Sequence, residues 1–163
     1  MDPARAITLD LLRNKLTLAL AESCTGGLLA GRITDIPGSS AVFTGGMVAY
    51  DNGIKTRFLG VPPAMVRKYG AVCEPVARLM AENVRKLLKT DLGLAITGIA
   101  GPSGGTRAKP VGLVFIAVSN GRETLSQEFR FKGTRAQNRN AAVKAALDLL
   151  HIHTQLYCLK PKK

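Results

Sequence analysis

Apolar residues recur along the chain with two different periods, and the alternation between those periods lays out its elements. From Pro3 to about Asn14, Ile7, Leu11 and Leu12 fall on one face at helical spacing, with Pro3 at an early helical position where its missing N–H costs nothing. The next run, LTLAL (16–20), is short and continuously apolar, as a strand buried on both faces requires. It leads directly into ESCTGG (22–27) and then into a helical pattern that lasts to about Ile33. AVFTGGMVAY (41–50) reads as a second strand, and Gly45-Gly46 within it predicts a bulge or a close backbone approach. A helical turn over 53–60 closes at Gly60, and Pro62-Pro63 opens another near Met65. The clearest helical period covers 74–90, with Pro75 near its start and Val76, Leu79, Met80, Val84, Leu87 and Leu88 on one stripe. LGLAIT (92–97) and VGLVFIAVS (111–119) are apolar strands separated by a glycine-rich loop. Residues 124–132 form the next strand, joined to its neighbour across Asn120-Gly121, a hairpin dipeptide. A last helix covers about 134–152 with Val143, Leu147 and Leu150 turned inward. Strands alternating with helices, plus one hairpin, predict an α/β fold: a three-layer α/β/α sandwich with a mixed central sheet.

Composition narrows the class. A chain of 163 residues and 17.3 kDa predicts a single domain over 1–163, with the tail 158–163 frayed. Hydrophobic residues at 46% and charged residues at 21% exclude a disordered chain or a coiled coil. No apolar run approaches the roughly 18 residues that span a bilayer, and the first residues carry Asp2 and Asp10 rather than an apolar leader. Cys24, Cys73 and Cys158 are too few and too scattered for a disulfide framework or a zinc site, so a reduced, cytoplasmic setting is expected, with no membrane partner.

Charge alters that picture in one respect. With 23 basic and 11 acidic residues the chain carries +12 and a pI near 10.1, which points to a phosphate-bearing partner or nucleic acid. The basic residues are spread throughout, and Arg78, Arg85, Lys86 and Lys89 interleave with the buried stripe of their helix, as a solvated cationic face would. No RNP-type aromatic signature or paired Cys/His spacing occurs, and tryptophan is absent, which disfavours a dedicated nucleic-acid module.

Three glycine-bearing segments follow strands: 22–27, 44–55 and 97–112. In open α/β sheets ligand sites gather beyond the carboxyl ends of strands, so these segments are expected to converge. Ser23, Cys24 and Thr25 stand at a strand-to-helix junction, where unpaired backbone N–H groups hold an anion or an oxyanion; helix capping by Ser23 or Thr25 is the alternative. Thr97–Thr106 carries more glycine than a connection needs and can form an anion-binding nest, or simply a surface loop. The P-loop, dinucleotide and G-x-S-x-G fingerprints are all missing. Only two histidines exist, His151 and His153, placed late in the last helix and expected on the surface rather than as a general base. A nucleophilic Ser23 then needs another proton acceptor, and Lys55, just after the strand that ends in Tyr50, is the candidate. A lysine starts near pKa ~10.4 and acts as a base only once burial or nearby cations lower it. Cys24 is a rival nucleophile, or an inert small hydrophobe.

Five ordered motifs then carry a resemblance: AESCTGGLLA (21–30), GGMVAYDNGIK (45–55), GAVCEP (70–75), TGIAGPSGG (97–105) and KPVG (109–112). Together they resemble the CinA C-terminal domain family, the nicotinamide-nucleotide amidases, over essentially the whole chain. The resemblance implies hydrolysis of the carboxamide of nicotinamide mononucleotide to nicotinic acid mononucleotide and ammonia. It implies Ser23 as nucleophile, Lys55 as general base and Tyr50 as a proton-transfer or positioning group, with no metal or cofactor. Expected substrate contacts are Cys24, Thr25, Gly26, Gly27, Gly45 and Gly46 near the oxyanion, with Thr97, Gly98, Gly101, Arg135 and Arg139 toward the phosphate. A free-standing amidase and a homo-oligomer are expected, with Val42-Phe43 or the first helix as interface. Departures are Cys73 where family members commonly have Ser, Thr134 where an acidic residue precedes Arg135, and Asp51 where Ser is usual. Two further readings remain: a pyridine-nucleotide-binding module without turnover, and a basic nucleic-acid-associated protein.

Overall fold

A computed structural model describes residues 2–159. Its elements run α1 (Pro3–Asn14), β1 (Leu18–Glu22), α2 (Leu28–Thr34), β2 (Phe43–Val48), α3 (Asn52–Leu59), α4 (Pro63–Tyr69), α5 (Glu74–Leu88), β3 (Leu92–Gly98), β4 (Leu113–Ser119), β5 (Thr124–Arg130) and α6 (Arg135–Leu159). The start of α1 is capped by Asp2, whose carboxylate accepts from Ala4 N at 3.2 Å, and Lys15 ends the helix in a left-handed conformation. Asp51 caps α3 through Gly53 N at 2.6 Å, and Gly60 closes it at φ 61°.

The strands form one sheet in the order β2-β1-β3-β4-β5. β1 pairs in parallel with β2 and β3, while β3–β4 and β4–β5 are antiparallel, so the sheet is mixed as expected. The carboxyl ends of β1, β2 and β3 therefore lie together, beside the start of β4, where Val114 pairs with Gly98. Helices cover both faces, and the two faces differ in side-chain size. Leu18, Leu20, Leu94, Ile96 and Ile116 meet α1, α2 and α6 on one side. Ala19, Ala21, Ala95 and Ala117 meet Val76, Ala77, Met80 and Val84 of α5 on the other. The small side chains let α5 settle close to the sheet: a Cβ on Gly93 would stand 2.1 Å from the Ala81 carbonyl oxygen.

Several expectations shift in detail. β1 begins at Leu18 and runs to Glu22, while the hairpin at Asn120-Gly121 has the four-residue loop 120–123 that the expected strand bounds leave, with Ser119 paired to Thr124. Asn120 Oδ1 accepts from Arg122 N and Glu123 N, both at 2.9 Å, which stabilises the loop locally. α6 continues to Leu159, past the expected end near 152; the end of the tail, 160–163, lies outside the described residues, as do the side chains of 157–159, Cys158 included. His153 is buried rather than on the surface, with Nε2 3.5 Å from Asn120 Nδ2, and His151 faces Asp10 at 2.8 Å. Val42 packs in the core, so it does not present an interface. Among the described residues no helix is long and apolar enough to cross a membrane.

Candidate active site

Beyond the carboxyl ends of β1, β2 and β3 opens a cavity of about 320 Å³. β1 delivers Ser23 and Cys24 to it, the turn after β2 delivers Tyr50, and α3 delivers Asn52 and Lys55. The end of β3 and the loop after it supply Thr97, Gly98, Gly101 and Ser103, and α6 supplies Arg135. The glycine-rich loop is tied down rather than loose. Asn138 Nδ2 donates to Ala100 O at 3.0 Å, and Arg135 Nη1 to Gly101 O at 2.7 Å. Arg135 Nη2 also donates to Tyr50 Oη at 2.6 Å, which links the loop to the far wall. Lys109 Nζ donates to the carbonyls of Tyr69 and Val72 and fixes the 70–73 segment, and Thr97 Oγ1 donates to Ala71 O at 2.9 Å. Gly98 is required by crowding: a Cβ there would lie 2.6 Å from Val114 Cγ2 and 3.1 Å from Cys24 Sγ.

The segment carrying Ser23 is held from both sides. The buried Glu22 carboxylate accepts from Gly27 N and Leu29 N at 3.1 Å and from Ala30 N at 2.8 Å. From the opposite side Arg139 donates to Cys24 O at 3.1 Å and to Thr25 O at 2.8 Å. Gly26 N turns back to Ser23 O, and Leu28 N to Thr25 O. Glu22 thus supplies the anion that the start of α2 would otherwise attract. Among the described residues, the N–H groups of Cys24 and Thr25 are the two in the 23–30 stretch with no protein oxygen as a partner.

Lys55 and Glu22 are the only buried Lys, Arg, Asp or Glu side chains among the described residues; Lys55 is 1% exposed and Ser23 7%. Lys55 Nζ donates to Tyr50 O at 3.1 Å and to Asn52 Oδ1 at 3.5 Å. Burial lowers the Lys55 pKa from the ordinary lysine range, against an opposing pull from Asp51. A neutral amine has two N–H bonds and one lone pair. With the two N–H groups occupied by these oxygens, the lone pair is left to accept a proton. Burial acts in the reverse sense on Cys24, pushing its thiol up to about 11, which keeps it protonated near neutral pH despite Arg139 and Lys55 nearby.

Of the residues picked out in the sequence, the structure brings Ser23, Cys24, Tyr50, Lys55, Thr97, Gly98, Gly101 and Arg135 to one cavity. The others lie elsewhere. Gly45 and Gly46 are interior to β2, against Leu88 and Leu20, and do not line it. Gly26 and Gly27 line a separate groove beside α6, with their amides already engaged by Ser23 O and Glu22. Thr25 is fully buried, and Arg139 acts on backbone carbonyls rather than facing the cavity. Sequence reasoning passed over Asn52, Ser103 and, above all, Glu22. A lone carboxylate ending an apolar strand immediately before a helix is a readable signal for that last role. No cluster of three or more potential metal-ligating side chains occurs among the described residues.

A mixed five-stranded sheet with a glycine-lined cavity at its carboxyl ends, holding a serine and a buried lysine, is the frame into which the comparisons fall. The CinA C-terminal domain family model matches residues 2–154, and the chain belongs to that family. It is 56% identical over 146 residues to a "CinA-like protein" of Syntrophus aciditrophicus, covering 89% of this chain and 35% of the relative. It is 50% identical over 149 residues to a "CinA-like protein" of Gemmatimonas aurantiaca, covering 91% and 35%. The chain therefore spans about a third of the length of the curated relatives it matches. The crystal structure of the competence/damage inducible protein CihA from Agrobacterium tumefaciens superposes with a TM-score of 0.91 at 40% identity, covering 94% of each chain. A CinA superfamily protein from Escherichia coli gives 0.89 at 31%, covering 93% of this chain and 88% of that one.

Proposed function

We propose that this domain is an amidohydrolase that converts nicotinamide mononucleotide to nicotinic acid mononucleotide and ammonia through an acyl-enzyme on Ser23. The observation that carries the reading is Lys55: a lysine sealed from solvent, with its donors held by Tyr50 O and Asn52, in the same cavity as Ser23. Lys55 Nζ takes the Ser23 proton as Oγ bonds to the carboxamide carbon. The negative charge that develops on the carboxamide oxygen falls to the N–H group of Cys24, a donor of this kind being worth ~3 kcal/mol in the transition state. The C–N bond then breaks, and the proton on Lys55 leaves with the nitrogen as ammonia. Water attacks the ester carbon, gives a proton to Lys55, and the C–Oγ bond breaks as the proton returns to Ser23. The free carboxylic acid is the product.

In this reading Arg135 and the backbone of Gly101–Ser103, which line the cavity, meet the phosphate of the substrate, and Arg135 also donates to Tyr50 Oη. Ammonia release from nicotinamide mononucleotide by the wild type and by Ser23→Ala and Lys55→Ala tests the reading. Turnover that collapses in both variants is the expected result. A folded wild type that binds the nucleotide without releasing ammonia would replace this reading with the binding module. Salt-sensitive DNA affinity that survives Ser23→Ala, in a wild type without turnover, would replace it with the nucleic-acid reading.

A further inference from the structure

A second cavity, of about 270 Å³, lies between α5 and the β4–β5 hairpin. It stands at the opposite end of the sheet from Ser23: Ser119 on its rim pairs with Gly93, at the start of β3, whereas the first cavity adjoins Gly98 at its end. At ~3.3 Å per residue the two are about 17 Å apart along the strand. α5 contributes Arg78, Glu82, Arg85 and Lys86 to its walls, and the loop contributes Arg122 and Glu123. The walls are braced by Thr124, whose carbonyl accepts from Arg78 Nη1 at 2.6 Å and whose hydroxyl donates to Glu82 Oε1 at 2.8 Å. The Arg85 guanidinium sits against the loop, its Cζ and Nη2 2.8 Å from where a Cβ of Gly121 would stand, and Gly121 takes a left-handed φ of 85° there.

We propose that this cavity binds a small phosphate-bearing ligand. Arg78 has a carboxylate, Glu74, at 3.8 Å, but among the described residues Arg85, Lys86 and Arg122 have no carboxylate within 4.0 Å. Arg85 Nε is sealed from solvent with no acceptor among the described residues, although Nη1 reaches Thr90 O at 3.2 Å. Four cations, Arg78, Arg85, Lys86 and Arg122, share the cavity with two carboxylates, Glu82 and Glu123, and the excess of like charge is repulsive. A phosphate offsets that excess, because its oxygens accept charge-assisted hydrogen bonds from guanidinium or ammonium groups such as those of Lys86 and Arg122. Glu82 does not fill that role, since it is turned to the Thr124 hydroxyl. The concave shape and the volume suit a compact metabolite rather than a nucleic-acid duplex.

Calorimetric titration with inorganic pyrophosphate at physiological ionic strength tests the proposal on the intact chain. The double variant Lys86→Ser/Arg122→Ser removes two exposed cations of the cavity; Arg57→Ser, exposed on α3, and Arg135→Ala, in the Ser23 cavity, serve as controls. The expected result is a binding site that the double variant weakens at least tenfold and both controls leave within twofold of wild type, separate from any binding beside Ser23, which Arg135→Ala removes. Absence of binding overturns the proposal, as does weakening confined to Arg135→Ala, which would put the probe beside Ser23. Equal weakening by Arg57→Ser overturns it in favour of unspecific screening. A single-stranded oligonucleotide that binds through Lys86 and Arg122 where pyrophosphate does not would give the surface to nucleic acid and overturn it too.

Discussion

The two cavities at opposite ends of the sheet are similar in volume, about 320 and 270 Å³, and both are lined by cations, yet they hold those cations in contrasting ways. Lys55 is enclosed, with oxygens at both donors and its pKa lowered by burial. Lys86 and Arg122 are exposed and keep their charge in contact with water. Burial turns a cation into a base; exposure leaves it as a charge that attracts anions. Under the two proposals, one fold separates proton transfer from charge recognition by depth alone, and a basic composition does not distinguish the two uses.

The largest effect expected from breaking this contrast is Ser23→Ala, which removes the proposed nucleophile and should cut ammonia release by roughly 10³-fold or more, with the midpoint of thermal unfolding nearly unchanged. Lys55→Met should cost a similar factor but move stability the other way. Because the Lys55 pKa is lowered in the folded state, the unfolded chain binds more protons between the folded value and ~10.4, and stability rises with pH across that window. Below the window the fold bears the full cost of enclosing the amine. Lys55→Met should therefore unfold at a higher temperature than wild type at pH 7, with the gain shrinking as pH approaches 10 in calorimetric scans. The same direction sets the rate profile of the wild type: kcat/KM should rise with pH through a value below that of an ordinary lysine.

Smaller effects probe the frame around Ser23. Glu22→Gln leaves three backbone N–H groups without their carboxylate and should cost ~2 kcal/mol in urea unfolding, lowering kcat more than it raises KM. Gly98→Ala forces a methyl against Val114 and Cys24 and should cost ~1–3 kcal/mol by the same measurement. Cys24→Ser should leave ammonia release within threefold, because burial holds the Cys24 thiol up at about 11, against thiolate formation, and the proposed nucleophile is Ser23.

Most of the fold was legible in the sequence because it is written in local periods. The stripe of α5 and the apolar runs of β3 and β4 announce their elements, and the residues of the 21–30 and 45–55 motifs do converge. What was not legible depends on partners distant in the chain. Arg139 looks like a phosphate ligand until the fold brings it to Cys24 O and Thr25 O, more than a hundred residues away in sequence. Gly45-Gly46 reads as a bulge or close approach within a strand, and the β1–β2 register does shift beside it; only the fold shows that the pair packs against Leu88 and Leu20 rather than offering donors to the cavity. The start of α2 looks like an open anion site unless Glu22, the one carboxylate ending the apolar strand before it, is read as the group that fills it. His153 illustrates the same point: its position late in a helix says surface, while the length of α6 carries it under Asn120.

The central claim is that Lys55 arms Ser23 to form an acyl-enzyme, and the most direct measurement is rapid quenching with nicotinamide mononucleotide followed by intact-mass and peptide mass spectrometry. The account predicts an acyl adduct mapped to Ser23 in the wild type, formed and lost on the timescale of turnover, and no adduct in Lys55→Met. An adduct on Cys24, or turnover by a Ser23→Ala protein, would contradict it.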